Sequence, residues 1–396
     1  MRNDRLEILG EGPFQRLRTL LGDVEPPQGR AQIQLAVGEP HHPYPEFVGD
    51  ILAGERDAWG AYPPTTGTPD YRRATAAWLT RRYGLASDMI DADRHIVPLC
   101  GTREGLFLIA LTVVPETKAG TKPLALIPNP FYHCYAGAAV AAGAEPRYLP
   151  ATRENGFLPN FSMVSEADLA RTALVYLCSP ANPQGSVADL GYLTQVIELA
   201  RAYDFVVVVD ECYAEIYDTD PPPGVLEASA RTGNGFANVL AFHSLSKRSS
   251  TPGLRCGFAA GDPDLIEQFV AFRNYSCAQI PLPIYTAGTA LWRDEDHVDA
   301  NRVLYREKFD AAEEILGGHY GFFRPRGAFF LWLDVGDGEA ATRELWAGGG
   351  IRVLPGGYLT REVPGDANPG AAFIRVALVD DLETTRHALS ELRSIL

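Results

Sequence analysis

Lys247 lies in the stretch "SLSKRSSTPGLRCGF", residues 244–258, between small hydroxyl residues, with Arg255 following among glycines. The glycines and the proline make this stretch a poor helix or strand interior. Its lysine is either a solvated surface charge, the default for that side chain, or a nucleophile beside an anion site. Ser244, Ser246 and Arg255 are residue types that such a site uses. The choice turns on which other reactive side chains the fold brings to Lys247.

Four apolar runs each end in polar or aromatic residues. "LALI" (124–127) leads into Asn129-Pro130-Phe131-Tyr132, and "ALVYLC" (173–178) into Ser179-Pro180-Ala181-Asn182-Pro183. "FVVVV" (205–209) leads into Asp210-Glu211-Cys212-Tyr213, and "VLAF" (239–242) into His243-Ser244-Leu245-Ser246-Lys247. Each has a plain explanation when taken alone. Asp210 suits a cap, Asn182-Pro183 a turn, and Tyr132 and Tyr213 a core with satisfied hydroxyls. In open α/β sheets, however, ligands bind beyond the carboxyl ends of the strands. An aromatic, an amide, a carboxylate with a phenol, and hydroxyls with a lysine then share one rim, and a site explains the set better than chance. Gly101-Thr102-Arg103 adds a fifth cluster. It opens a helical pattern, where free N–H groups and the dipole favour an anion; Thr102 is equally a common cap, and Arg103 adds charge or simply faces water.

The elements that must position these residues are legible. The four runs are short, rich in branched residues and almost uniformly apolar, as parallel strands covered on both faces are. "DLGYLTQVIELARAYD", from 189, reads as a crossover helix, which makes a βαβ unit. Thr68, Pro69 and Gly84 mark another helix by its cap, first turn and stop, with Tyr71, Ala74 and Trp78 on one face. Beyond about residue 280 a long helical stretch precedes the strands "GAFFLWLDV" and "AAFIRVAL". The expected fold is α/β: a three-layer αβα large domain with a mainly parallel sheet, plus a smaller α+β domain. The expected boundaries are 1–45 for an N-terminal segment joining the small domain, 46–282 for the large domain and 283–396 for the small one.

Composition narrows the function classes. The 396 residues carry a formal charge of -15, with 46% hydrophobic and 21% charged residues. A chain this acidic is a poor general nucleic-acid binder, although a few clustered cations still attract small anions. None of the six cysteines forms a CxxC pair, so they are expected to be small buried hydrophobes in a reduced compartment rather than metal ligands. "MRNDRLEILGEGPF" lacks the apolar core of a signal peptide, and no segment approaches a membrane span. A soluble, cytoplasmic protein with no metal is expected. No strand is followed by GxGxxG, which disfavours a nicotinamide dehydrogenase.

Together these residues resemble the fold-type I pyridoxal 5'-phosphate enzymes of the class I/II aminotransferase superfamily. The resemblance spans nearly the whole chain. It rests on Gly38, Tyr62, Gly101-Thr102, Asn129 through Tyr132, Asn182-Pro183 with Gly185, Asp210 with Tyr213, "SLSK", Arg255 and Arg375. It implies that Lys247 holds the cofactor aldehyde and moves the substrate proton, and that Asp210 faces the ring nitrogen. Tyr213 and Asn182 are implied to meet the ring oxygen, and Tyr132 to stack on the ring. The phosphate falls to Gly101, Thr102, Arg103, Ser244, Ser246 and Arg255. Arg375 is implied to clamp the substrate carboxylate, with Gly38 and Asn182 beside the substrate. Tyr62 is implied to reach the partner's phosphate across a homodimer.

Longer words, among them "GEPHHPYPEFV", "NPFYHCYAGAAVAAGAEP" and "NRVLYREKFDAAEEILG", resemble succinyldiaminopimelate transaminases of lysine biosynthesis. That resemblance implies glutamate and 2-oxoglutarate as the exchanging pair. Another amino-acid aminotransferase, or a C–S lyase of the same fold, is the alternative. A ligand-sensing regulator is disfavoured by the acidic charge and by an enzyme pattern that starts within the first forty residues. A donor with a distant carboxylate calls for a second cation, and Arg248, Arg273, His41 and His42 are the candidates. The aspartate aminotransferase branch places a histidine three residues after the stacking aromatic, behind the ring-nitrogen aspartate. Here Tyr135 occupies that place, with His133 nearby, so the support for Asp210 is left open.

Overall fold

A computed structural model describes residues 4–362 and 368–396. The first three residues of the charged N-terminal stretch, and residues 363–367 of the expected C-terminal domain, lie outside that description.

The apolar runs become the middle of a seven-stranded sheet. Its order is Ile96–Leu99, Gly257–Gly261, Val239–Ser244, Val206–Asp210, Thr172–Cys178, Leu124–Asn129, Glu145–Pro150. Only Gly257–Gly261 runs against its neighbours; the other pairings are parallel. Strand residues alternate between the two faces, and each face has its own core. Val207 and Val209 join the core that holds Trp78 and Leu193, whereas Val206 and Val208 join the one that holds Leu106 and Ile109. Burial on both faces is why these strands read as unbroken apolar runs. The crossover helix forms at Leu190–Tyr203, with the Asp189 side chain accepting from the Tyr192 N–H at 2.8 Å. Helix Pro69–Tyr83 starts at the Thr68 cap and stops at left-handed Gly84.

The C-terminal sheet is antiparallel, with Phe373–Ala377 between Phe330–Asp334 and Leu354–Pro355. Helix Asp296–Leu316 packs on helix Leu382–Ile395 to cover it. The N-terminal segment belongs with this part of the chain: Ile33–Gln34 pairs in parallel with Ile351–Arg352, and Leu17 and Leu21 pack with Trp346 and Leu354.

The long helical stretch is two helices, Leu282–Arg293 and Asp296–Leu316. The first lies in the large core, where Tyr285, Leu291 and Trp292 pack with Trp78. The boundary expected at 282/283 therefore cuts this helix after its first residue, although the helix packs in the large core. We place it between Arg293 and Asp296, because that is where the side chains change core.

Candidate active site

The parallel strands end together, and the residues just beyond their carboxyl ends line a cavity of about 410 Å³. Thr102, Arg103, Tyr132, Asn182, Asp210, Tyr213, Ser244, Ser246, Lys247, Arg255 and Arg375 all border it, as does Gly38 from the N-terminal segment. The two expected residues that do not are Gly101, just behind the wall, and Tyr62. Tyr62 is fully exposed, at 101% of its reference surface, and lies outside its own chain's cavity.

Asp210 is the last residue of its strand, in register with Cys178 and Phe242. It is 5% exposed. Oδ2 accepts from the Tyr135 hydroxyl at 2.9 Å, and Oδ1 from the Cys212 N–H at 3.3 Å. Burial raises its pKa, and hydrogen bonds from Cys212 and Tyr135 work in the opposite direction. Among the described residues no cation pairs with it. A buried anion without a counter-ion is costly, and a cation placed against Asp210 would favour its charged form. Tyr135 is thus the residue behind Asp210, from helix His133–Ala141, its ring stacked on Tyr176 at 4.7 Å.

Lys247 sits on a single helical turn, Leu245–Arg248. Its Nζ donates to the Gly38 carbonyl and lies 5.6 Å from the Phe329 ring centroid. Burial, aided by the charges of Arg375 and Arg255, draws its pKa down to about 8. A much larger share of this amine is neutral near pH 8 than an ordinary lysine would have. Gly38 is needed for this approach, because a Cβ there would stand 2.6 Å from Phe330 Cζ.

The residues expected to hold an anion come from two segments. The Ser244 and Ser246 hydroxyls are 3.0 Å apart, and Ser246 N–H donates to Ser244 Oγ at 3.1 Å. Arg255, held in the left-handed region at φ 52°, donates to the Pro252 carbonyl at 2.9 Å. Opposite, helix Thr102–Val113 begins after Gly101 at φ 82°. A Cβ on Gly101 would fall 2.1 Å from Arg255 Nη2, so glycine leaves the room in which the guanidinium lies. The Thr102 hydroxyl meets Cys212 Sγ at 3.0 Å. Arg103 departs from this group: its Nε bonds the Tyr132 hydroxyl at the rim.

Arg375 projects from strand Phe373–Ala377 and is 4% exposed. It donates to Asn182 Oδ1 at 2.9 Å and to the Ala36 carbonyl at 2.6 Å, while its Nε has no partner among the described residues. Asn182 in turn reaches the Tyr213 hydroxyl at 3.4 Å. Burial draws the Arg375 pKa down to about 10. Among the described residues no carboxylate pairs with it.

The four residues considered for a second cation are otherwise engaged, and none borders the cavity. Arg248 is buried against Trp78 and Trp292 and bonds Glu295 at 2.9 Å. Arg273 pairs with Glu104 at 3.2 Å, and His41 with Asp380 at 2.6 Å. His42 bonds Asn301 at 2.6 Å and Lys308 at 2.6 Å. Other cavity residues carried no usable mark in the sequence. Cys178 ends an apolar run like any core residue. Phe330, Leu359 and the Pro13-Phe14 pair arrive from segments far from the strand ends.

The profile of aminotransferase class I and II matches residues 30–392. An LL-diaminopimelate aminotransferase of Desulforudis audaxviator is 31% identical over 394 residues, covering 97% of this chain and 95% of that protein. A 4-dedimethylamino-4-oxo-anhydrotetracycline transaminase of Streptomyces rimosus is 34% identical over 348 residues, covering 87% and 88%. The crystal structure of an aminotransferase from Neisseria meningitidis superposes with a TM-score of 0.94 at 40% identity, over 99% of both chains.

Proposed function

The chain belongs to the class I and II aminotransferases, which use pyridoxal 5'-phosphate, and from that premise we propose which of its residues hold the cofactor and which donor it takes. Three features of one cavity support the fit. Asp210 is a buried carboxylate with no cation among the described residues. Gly101 leaves the room in which Arg255 places a guanidinium, without a carboxylate partner among the described residues, beside the start of helix Thr102–Val113. Lys247 supplies an amine made less basic by burial. These suit a ring nitrogen that must stay protonated, a phosphate and an aldehyde, in that order.

When bound, the cofactor supplies an electron sink for the pair left at the donor's α-carbon. Asp210, whose charged form Tyr135 and the Cys212 N–H favour against burial, faces the ring nitrogen. Gly101, Thr102, Ser244, Ser246 and Arg255 hold the phosphate. Tyr132 lies against the ring, and Tyr213 with Asn182 meets the ring oxygen. Arg375 orients the donor by its α-carboxylate through a planar fork. Gly38 lets the N-terminal segment close over that end. Lys247 anchors the cofactor and moves the proton at the donor's α-carbon.

The donor is N-succinyl-LL-diaminopimelate, exchanging with 2-oxoglutarate. What supports it is the resemblance of the longer words to that specificity. The names of relatives such as the Desulforudis protein favour a second reading, unmodified LL-diaminopimelate. The observation that carries the general reading is Arg375, a buried guanidinium without a carboxylate, in the same cavity as Lys247. A donor screen with 2-oxoglutarate decides between the specificities. N-succinyl-LL-diaminopimelate should exceed LL-diaminopimelate and acetylornithine in kcat/KM. Higher turnover of the unmodified donor would install the second reading, and pyruvate with ammonia from a cysteine-type substrate would indicate a C–S lyase.

The active unit is a homodimer in which Tyr62 serves the partner's phosphate. The support is its complete exposure and its absence from its own cavity. Light scattering should give twice the chain mass, and Tyr62→Phe should weaken cofactor binding. A fully active monomer would overturn this assignment.

A further inference from the structure

A second cavity of about 590 Å³ adjoins the first and shares Pro13, Arg103, His133 and Arg255 with it. Its wall is largely apolar, from Leu9, Phe107, Leu108 and Ala136; Glu104, which is paired with Arg273 at 3.2 Å, and Arg361 also border it. Four arginines therefore border the joined space: Arg103, Arg255, Arg361 and Arg375. None makes an ion pair with a carboxylate of the described residues, in a chain with 50 acidic and 35 basic side chains. Elsewhere arginines pair readily, as Arg82 does with Glu215 and Arg324 with Asp218.

Two of the four have an anion in the proposed function: Arg255 the phosphate, Arg375 the α-carboxylate. Arg103 and Arg361 remain. Each is held in place by neutral groups. Arg103 Nε bonds the Tyr132 hydroxyl. Arg361 donates to the Leu9 carbonyl at 2.9 Å and the Thr360 carbonyl at 3.0 Å, and its guanidinium lies 5.4 Å from the Phe131 ring centroid. Its backbone is pinned by Asn129, whose Oδ1 accepts from Arg361 N–H at 3.0 Å and whose Nδ2 donates back to the Arg361 carbonyl at 2.8 Å. His133, which borders both cavities, has its pKa drawn down to about 4 by burial and then by Arg103, Arg375 and Arg361. It is neutral at pH 7, so the positive field comes from the arginines.

We propose that Arg103, at the neck where the two cavities join, and Arg361, in the wall of the second cavity, bind the distal carboxylate of the amino donor. The proposal rests on the diaminopimelate-type reading of the donor. It makes Arg103 a specificity residue rather than part of the phosphate cradle. The arm of the donor then runs from Arg375 in the first cavity through the neck towards Arg361.

Calorimetry on the cofactor-loaded enzyme tests this with two acids of equal length, pimelate and heptanoate. Wild type should bind pimelate about ten- to hundredfold more tightly, the usual effect of a charged hydrogen-bonding pair. Arg103→Gln and Arg361→Gln should each reduce that preference and leave heptanoate binding unchanged, and the Arg361 variant should also keep the cofactor spectrum. Arg103→Lys, which keeps the charge, should recover part of it and guards against a misfolded glutamine variant. Equal binding of the two acids by wild type would overturn the subsite. So would a preference that survives both glutamine substitutions. If wild type fails to turn over diaminopimelate donors but shows a pimelate preference that both variants lose, the donor reading falls and the subsite stands.

Discussion

The Tyr135 hydroxyl donates to Oδ2 of Asp210 across 2.9 Å, joining two buried residues 75 positions apart. One lies in helix His133–Ala141 and the other ends a central strand. The bond favours the ionised carboxylate, against a burial that favours the neutral one. Tyr135→Phe removes the donor and keeps the ring packed on Tyr176. Asp210 should then hold its charge less well, with kcat down about ten- to hundredfold, the worth of a hydrogen bond to a charged group. Cofactor affinity, read by absorbance titration, should weaken with it. Unchanged values in both measurements would show the bond to be idle.

Lys247 gives a pH-dependent outcome. Its pKa lies near 8, and only the neutral amine captures an aldehyde. Cofactor loading of the free protein should therefore speed up as pH rises and level off above about pH 8, well below the value for an ordinary lysine. Lys247→Ala should lower turnover by about a thousandfold or more while still admitting cofactor. Borohydride should fix the cofactor on the peptide bearing Lys247, and a label on another peptide refutes the assignment.

Arg375→Ala should weaken donor binding by about 2–5 kcal/mol, as for truncating one partner of a buried charged pair. The effect should appear in KM for every α-amino acid donor, long or short. An unchanged KM counts against the clamp. By contrast, Arg103 and Arg361 variants should discriminate between donors with and without a distal carboxylate.

Gly101→Ala tests the cradle. The added Cβ would fall 2.1 Å from Arg255 Nη2, at a φ of 82° that L residues rarely adopt. Arg255 must then leave its place, and cofactor affinity should drop at least about tenfold in equilibrium dialysis. Gly253→Ala is the control, since nothing lies within 4 Å of its Cβ position.

His42 predicts acid sensitivity. Burial first, then the Lys308 charge, lowers its pKa to about 4, while the Asn301 hydrogen bond opposes this. The unfolded chain takes up a proton near the ordinary histidine value, and the folded chain resists until about pH 4. Stability is therefore present above about pH 6.5 and is lost as pH falls towards 4, by at most about 3 kcal/mol from this group. His42→Gln should flatten the fall of Tm across that window. A slope identical to wild type would place the acid sensitivity elsewhere.

The four strands, the crossover helix and the rim of side chains that border one cavity were legible because each rests on a local pattern. Uniformly apolar runs mark strands buried on both faces, and the residues immediately after such strands lie on one edge of the sheet. Asp210 and Lys247 could thus be placed in one site without coordinates. Tertiary structure alone decided the partners. Tyr135 meets Asp210, Arg361 comes to the wall of the second cavity, and helix Leu282–Arg293 enters the large core rather than the small one. No periodicity encodes these, because each depends on where distant segments pack and which faces they turn to one another. Arg248 illustrates the difference: it follows Lys247 directly in the chain, yet one turn of helix points it into the Trp78–Trp292 core. Residue type and spacing determined which chemistry was on offer, and packing determined which charges were left free to use it.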